Sequence, residues 1–391
     1  MIELASHDLC TACGACAYVC PKNCITMVEN SIGVDYPILD SSNCIECKKC
    51  QKACPVITPV EFNNPQKAYA AWSNNSKERQ SSASGGIAAE IYKYALDKGY
   101  KIVGAVQQSD FSVKLELSDN VQSIACFKNS KYVKSTCYDI YKQIKNELKV
   151  GKKVLCICLP CQVGALKAIF KKSTNLVLVD IVCHGGTPYN YLKQHIEYVE
   201  NLTGSKCAQM SFRDPKFQTH KYHFSLYDIQ GNCFYSKRTA DGDTYQFGFH
   251  RSVTYRQNCY HCIFAKSRRA SDLTLLDFKG LNDMAIDKFS NINVSGVIAF
   301  TDKGQEIIAS LQAGNAVTFI ERPIEEPFKT DPRLREHTQD NKNSILFRKL
   351  ITETPNDFEG VMHKVIKFNK KNNRFEIFKR VYRRLKSLLN L

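Results

Sequence analysis

Eight cysteines stand in two copies of one run. Cys10-x2-Cys13-x2-Cys16-x3-Cys20-Pro21 is followed by Cys44-x2-Cys47-x2-Cys50-x3-Cys54-Pro55. Three thiolates at two-residue steps can wrap one cube of iron and sulfide, and the fourth, carried off at its Cys-Pro turn, reaches the other cube. The spacing therefore predicts one [4Fe–4S] cluster on Cys10, Cys13, Cys16 and Cys54, and a second on Cys44, Cys47, Cys50 and Cys20. Zinc closes with four ligands and has no use for eight in a doubled pattern. Gly14 lets the backbone pass close to the inorganic core. Cys24 falls outside the run and reads as a small buried apolar residue.

Nineteen cysteines in 391 residues are too many for a reduced compartment unless thiolates serve metal or redox chemistry. A disulfide scaffold would need an oxidising compartment, and the opening MIELASHDLC shows neither the basic nor the apolar region of a secretory leader. No apolar run is long enough to span a bilayer. A cytoplasmic chain is expected. The formal charge of +16 falls to about +10 if three four-thiolate clusters each contribute about −2. With 43% hydrophobic and 24% charged residues the chain can bury a sizeable core.

The elements that must position further chemistry begin after a linker marked by Pro55, Pro59 and Pro65. Periodicity predicts a helix over 87–96, a strand over 101–107, a helix over 138–148, a strand over 154–159, a helix over 163–170, a strand over 175–182 and a helix over 189–200. This alternation predicts an α/β domain with a largely parallel sheet, preceded by an α+β ferredoxin-like module. Cys161 and Cys183 each follow a strand, so both fall at the carboxyl edge of the sheet, where open α/β folds hold ligands. Cys259-x2-Cys262 lies further on, in a basic, aromatic stretch. Cys161, Cys183, Cys259 and Cys262 would complete a third quartet. Spacing alone leaves the CxxC pair open between a cluster, half a zinc site and a redox pair, and each lone cysteine could be core.

Ser84-Gly85-Gly86 opens the first helix, where free N–H groups and the absence of side chains suit a phosphate. Ser82 and Ser84 could add hydroxyls, and Lys131 or Lys134 a counter-charge. The competing reading is a simple turn capped by Ser84. There is no G-x-G-x-x-G, so a Rossmann-type nicotinamide site has no support. His184 follows Cys183 and is the candidate proton donor to a flavin, to substrate or to cluster sulfide, against a purely structural hydrogen bond. Asp272 and Asp277 stand beside Arg268 and Arg269 and read as an ion-paired loop. Beyond Val361, ten Lys and Arg face Glu376 alone, with Phe375, Phe378, Tyr382, Leu385 and Leu389 on one helical face. That helix could dock on the body, on a partner or on a membrane surface. Nucleic acid is not expected, because no binding fold accompanies the charge.

The motifs from Trp72 to Leu311 resemble the family of deazaflavin (coenzyme F-420) hydrogenase and dehydrogenase beta subunits. They are Ser84-Gly85-Gly86, Ser130-Lys131-Tyr132-Val133, Pro160-Cys161-Gln162, Asp180-Ile181-Val182-Cys183-His184-Gly185, Ser211-Phe212-Arg213-Asp214, Cys259-x2-Cys262, Ser271-Asp272-Leu273-Thr274 and Asp277-Phe278-Lys279-Gly280. The leading cysteine module is similar to the bacterial branch, which often accompanies polysaccharide biosynthesis. The resemblance implies a flavin-binding α/β domain with FAD, held near Ser84, Gly85, Gly86 and Lys131, and a third [4Fe–4S] cluster on Cys161, Cys183, Cys259 and Cys262. It implies an oxidoreductase that takes electrons from a low-potential carrier such as ferredoxin, or from a deazaflavin, and acts on an organic substrate. The alternative is a subunit that feeds a partner enzyme. Expected boundaries are 1–60 for the ferredoxin module, 66–150 and 151–320 for the two parts of the flavin domain, and 321–391 for a basic helical tail. If that tail docked on a membrane, it would place the otherwise cytoplasmic protein at the inner membrane surface.

Overall fold

The computed structural model describes residues 2–279 and 293–372, so the amphipathic stretch 374–391 lies outside the described residues. The two cysteine runs fold as near copies. Each places a five-residue helix, α1 (Ala15–Val19) or α2 (Lys49–Ala53), that carries its third cysteine and ends just before its fourth, and the two flank a hairpin of β1 (Ile25–Glu29) and β2 (Asp35–Leu39). Ala12 and Gly14 in the first run, and Glu46 and Lys48 at the matching positions of the second, all have positive φ. A left-handed turn costs a non-glycine residue about 1–2 kcal/mol. Three such residues in register mark a backbone bent around something at its centre.

Next come β3 (Lys67–Ser73), α3 (Ser76–Ser81), α4 (Ile87–Asp97), β4 (Lys101–Gln107), β5 (Val113–Ser118), α5 (Ser123–Phe127), α6 (Ile140–Lys149), β6 (Val154–Cys158), α7 (Pro160–Ile169), β7 (Leu176–Ile181) and α8 (Tyr189–Thr203). The periodicity anticipated most of these to within a few residues. It missed the start of α7, because Pro160 occupies the first helical turn, where a missing N–H costs nothing. Cys161 therefore stands on the opening turn of a helix.

The chain continues through β8 (Gln209–Ser211), β9 (Phe224–Tyr227), β10 (Cys233–Lys237), α9 (Thr244–His250), β11 (Leu273–Asp277), β12 (Ser295–Ala299), α10 (Asp302–Ala313), β13 (Val317–Arg322), α11 (Glu325–Thr330) and α12 (Lys342–Glu353). Among the described residues the central sheet has the order β13-β3-β12-β11-β7-β6-β4-β5. It is mixed. The four adjacent strands β11, β7, β6 and β4 are parallel, while β5 on one side and β12, β3 and β13 on the other pair antiparallel. The link from β4 to β5 is too short for a crossover, so that pair must be a hairpin.

Alternate strand residues supply two cores, as a period of two requires. Leu155, Ile157 and Val179 pack beneath α4 and α10, while Val154, Cys156 and Cys158 pack against α6 and α7. The cysteine module joins the second core through Cys13, Ala15 and Val60. A smaller antiparallel sheet, β10-β9-β8, forms a third core with α8 and α9. Phe347 and Ile351 of α12, and Phe358, Val361, Met362 and Val365 of the helix over 358–372, complete it. The stretch from 317 to 365 is thus part of the body: β13 edges the central sheet and the later helices close the small one.

No described helix is long and apolar enough to cross a membrane.

Candidate functional site

The two runs surround separate cavities. Cys10, Cys13, Cys16 and Cys54 line one, and Cys20, Cys44, Cys47 and Cys50 line the other. The fourth cysteine of each run has crossed to the other's cavity, as the spacing required. Backbone N–H groups of Ala12, Ala15 and Ala17 point at the sulfurs of Cys10, Cys13 and Cys16. Burial raises the pKa of these three thiols, that of Cys16 to about 12. As thiolates they need a positive partner, which the cationic core of an iron–sulfur cluster supplies. Cys24 is less detached than its place outside the run suggested. It lines the smaller cavity, and its sulfur is 3.3 Å from that of Cys20.

The described residues contain no group of three or more His, Cys, Asp or Glu placed to chelate a single metal ion. What they do contain is thiols spread around cavities.

The third quartet also comes together. Cys161 opens α7, Cys183 follows β7, and Cys259 and Cys262 lie in and after the short turn Gln257–His261. Cys183 is close enough to feel the charges of Cys161, Cys259 and Cys262, and burial pushes its pKa well up. Burial likewise raises Cys262 to about 12. The Gly186 N–H donates to Cys259 Sγ across 3.3 Å. Asp180 anchors the end of β7: Thr274 of the neighbouring β11 donates to its carboxylate at 2.5 Å, and the buried Arg269 lies 3.8 Å away.

The ferredoxin-like module meets the body at its first quartet. The Cys13 carbonyl accepts from the Tyr141 hydroxyl at 2.6 Å and from the Cys137 thiol at 3.2 Å. Cys137 in turn neighbours Cys161. The second quartet is the outward one, with Cys47 exposed and Ile45 57% exposed.

His184 stands near the carboxyl ends of β7 and β11. Its side chain is 54% exposed, yet enclosing protein lowers its pKa despite Asp331 at 4.0 Å. Near it gather Arg213, paired with Asp277 at 2.8 Å, Tyr222 beneath the Arg213 guanidinium, Tyr132, and His250, which burial lowers to about 4. Tyr222 and His250 carried no local signal in the sequence. Arg213 and Tyr132 appeared there only inside motifs. The expected ion pairs of Asp272 and Asp277 with Arg268 and Arg269 do not form. Asp272 instead accepts from the Leu178 N–H and the Thr301 hydroxyl, because its strand neighbours β7.

The phosphate cradle expected at Ser84, Gly85, Gly86 and Lys131 does not fit a pyrophosphate. The Gly85 N–H donates to Ser295 Oγ at 2.9 Å, its carbonyl accepts from the Ser73 N–H, and Ser84 Oγ donates to the Val294 carbonyl. A β-carbon at Gly85 would sit 2.5 Å from the Ala71 carbonyl oxygen, so glycine is there for close packing against the sheet. Glu78 and Glu90 line the same turn, and Lys93 and Lys128 are spent pairing with them. Lys131 is spent on the carbonyls of Phe127, Lys128 and Asn129 at the end of α5, and burial lowers it to about 8.

Residues 9–57 match the 4Fe-4S dicluster domain, and residues 151–323 match the family described as the C terminus of the coenzyme F420 hydrogenase/dehydrogenase beta subunit. A subunit of the F(420)H(2) dehydrogenase of Methanosarcina mazei is 22% identical over 277 residues, covering 66% of this chain and 73% of the relative. A subunit of the ion-translocating oxidoreductase complex of Buchnera aphidicola is 36% identical over 63 residues, 15% of this chain and 13% of the relative. Among solved structures, a chain of the F420-reducing [NiFe] hydrogenase complex from Methanosarcina barkeri aligns with a TM-score of 0.48 at 20% identity, covering 80% of this chain and 94% of that one. The chain thus matches a 4Fe-4S dicluster domain and the C-terminal domain of the F420 hydrogenase/dehydrogenase beta subunits over separate stretches, and is similar to a dehydrogenase subunit.

Proposed function

From a chain that unites a 4Fe-4S dicluster module with an F420 hydrogenase/dehydrogenase beta-subunit domain, we propose an oxidoreductase that conducts electrons along three [4Fe–4S] clusters. Cys20, Cys44, Cys47 and Cys50 hold the outermost, Cys10, Cys13, Cys16 and Cys54 the middle one, and Cys161, Cys183, Cys259 and Cys262 the innermost. The observation that carries this reading is the order of the quartets. Cys47 is exposed, Cys13 is bonded to Cys137 and Tyr141 of the body, and Cys183 immediately precedes His184. A low-potential carrier such as ferredoxin exchanges electrons at the Cys47 end, and an organic substrate reacts beside His184.

A flavin belongs to this reading and would be held beside His184 and Arg213, with its phosphates elsewhere than at Gly85. When bound, it supplies the exchange between single electrons and a hydride. The chain's own residues do the rest. Arg213, held by Asp277 and by the Thr219 carbonyl, offers a fixed cation to an anionic planar group, and Tyr222 lies under its guanidinium while Tyr132 stacks on Phe249. His184 is open to solvent and can hold or pass a proton there.

The second reading, a subunit that feeds a partner enzyme, draws on the relatives named as subunits. Anaerobic reconstitution followed by iron, sulfide and flavin analysis tests the proposal. About twelve irons per chain and one flavin are expected. Eight irons would remove the innermost cluster, and twelve irons without flavin would favour the partner-feeding subunit.

A further inference from the structure

We propose that Arg256 is a fixed cationic bridge between the middle and innermost clusters, setting the reduction potentials of both. The inference rests on the ligand sets proposed above. Arg256 is 4% exposed and caps the turn Gln257–His261 that carries Cys259. Its own N–H donates to the Gly186 carbonyl at 2.9 Å, and its carbonyl accepts from the Cys259 N–H at 2.9 Å. These bonds fix its backbone to the innermost quartet. Its side chain runs the other way. Nη1 donates to the Thr11 carbonyl at 2.9 Å and Nη2 to the Cys10 carbonyl at 3.3 Å, within the loop of the middle quartet. One residue thus spans 245 positions of sequence to join two thiol nests.

The guanidinium sits on the carbonyls of Cys10 and Thr11 while its backbone is bonded to Gly186 and Cys259, so one charge stands between the two nests. Arg256 Nε has no hydrogen-bond partner among the described residues. A buried guanidinium stays protonated, so its charge is permanent and only weakly screened by solvent. A four-thiolate cluster is anionic and becomes more so by one charge on reduction. A cation lying between two of them stabilises the reduced form of each, and so raises both potentials. It also lowers the repulsion that opposes holding both reduced at once. In the transfer itself one electron leaves the middle cluster, which is oxidised, and enters the innermost, which is reduced. No bond is made or broken and no proton moves, because the guanidinium remains charged throughout.

The test is a redox titration followed by electron paramagnetic resonance on the reconstituted full chain. Arg256→Gln should lower the potentials of both clusters, each by at least about tenfold in the one-electron equilibrium, or about 59 mV. The outermost cluster should stay where it is. Arg256→Lys, which keeps the charge, should leave both near their wild-type values. If the glutamine variant fails to hold iron, the lysine variant still decides: it must load about twelve irons with both potentials retained. A glutamine variant with twelve irons and unmoved potentials overturns the proposal, as does one that moves only one potential. A lysine variant displaced as far as the glutamine one overturns it too. A wild-type chain with eight irons is a different failure, because it removes the innermost cluster and the reading beneath the proposal.

Discussion

The Tyr141 hydroxyl donates to the carbonyl oxygen of Cys13 across 2.6 Å, and this bond joins α6 of the sheet domain to the middle cysteine quartet. Both residues are buried, so neither group has water as an alternative partner. Tyr141→Phe keeps the ring and removes the donor, leaving the carbonyl with the weaker Cys137 thiol. The variant should lose about 1 kcal/mol of stability. Because the bond lies on the seam between module and body, the loss should appear as faster proteolysis of the N-terminal module in reconstituted protein. A uniform fall in melting temperature with an unchanged cleavage pattern would place the bond's effect elsewhere.

Cys161→Ser separates the innermost cluster from the other two. Cys161 stands on α7, outside both cavities of the ferredoxin-like module. The variant should lose about four irons and keep about eight, with the signals of the module intact. Cys54→Ser should do the reverse, disturbing the middle cluster while the innermost remains. Loss of all iron from the Cys161 variant would show that the three quartets do not assemble independently.

Gly85→Ala distinguishes packing from phosphate binding. The added methyl would meet the Ala71 carbonyl oxygen at 2.5 Å and the Ser295 nitrogen at 2.8 Å. Both are backbone atoms of the sheet and cannot swing aside, so α4 must shift. Overpacking of this kind costs about 1–3 kcal/mol. The expected outcome is a lower melting temperature with unchanged flavin content per folded chain. Selective loss of flavin at unchanged stability would return the phosphates to this turn.

The parts legible in the sequence were those encoded locally. The eight cysteines of the double run specify their own partition, and the two cavities follow it. Cys161 and Cys183 could be placed at one sheet edge because each follows a strand of a short βαβ alternation, in which chain order fixes geometry. The antiparallel half of the sheet was not legible. β3, β12 and β13 come from positions 67 to 322 and pair only in three dimensions. Arg256, Tyr141 and Cys137 were invisible for the same reason, since their partners lie 124 to 246 residues away. Gly85 misled because a helix opened by glycines suits a phosphate and a close sheet contact equally, and only the positions of Ala71 and Ser295 decide between them.

His195 gives the small sheet domain a pH-dependent lock. On α8 it is 1% exposed, with Nδ1 2.6 Å from a Glu359 carboxylate oxygen and Nε2 3.1 Å from Asp243. Thr244 also donates to Glu359, and the Tyr235 hydroxyl donates to Asp243. Burial alone would lower the imidazole pKa, but the two facing carboxylates outweigh it and raise it to about 9. The charged ring then ties α8 to α9 and to the helix over 358–372. A group whose pKa is raised by folding stabilises the fold fully below its unfolded value near 6.5. That contribution fades as pH rises through the folded value near 9. A shift of this size corresponds to roughly 3 kcal/mol as an upper figure. The melting temperature of the wild type should therefore fall between pH 7 and about 9.5. His195→Gln should be less stable at pH 6 and nearly flat over the same range. A wild-type profile that runs parallel to the glutamine variant across that interval would show that the ring is neutral in the fold, and that Asp243 and Glu359 are balanced by something other than its charge.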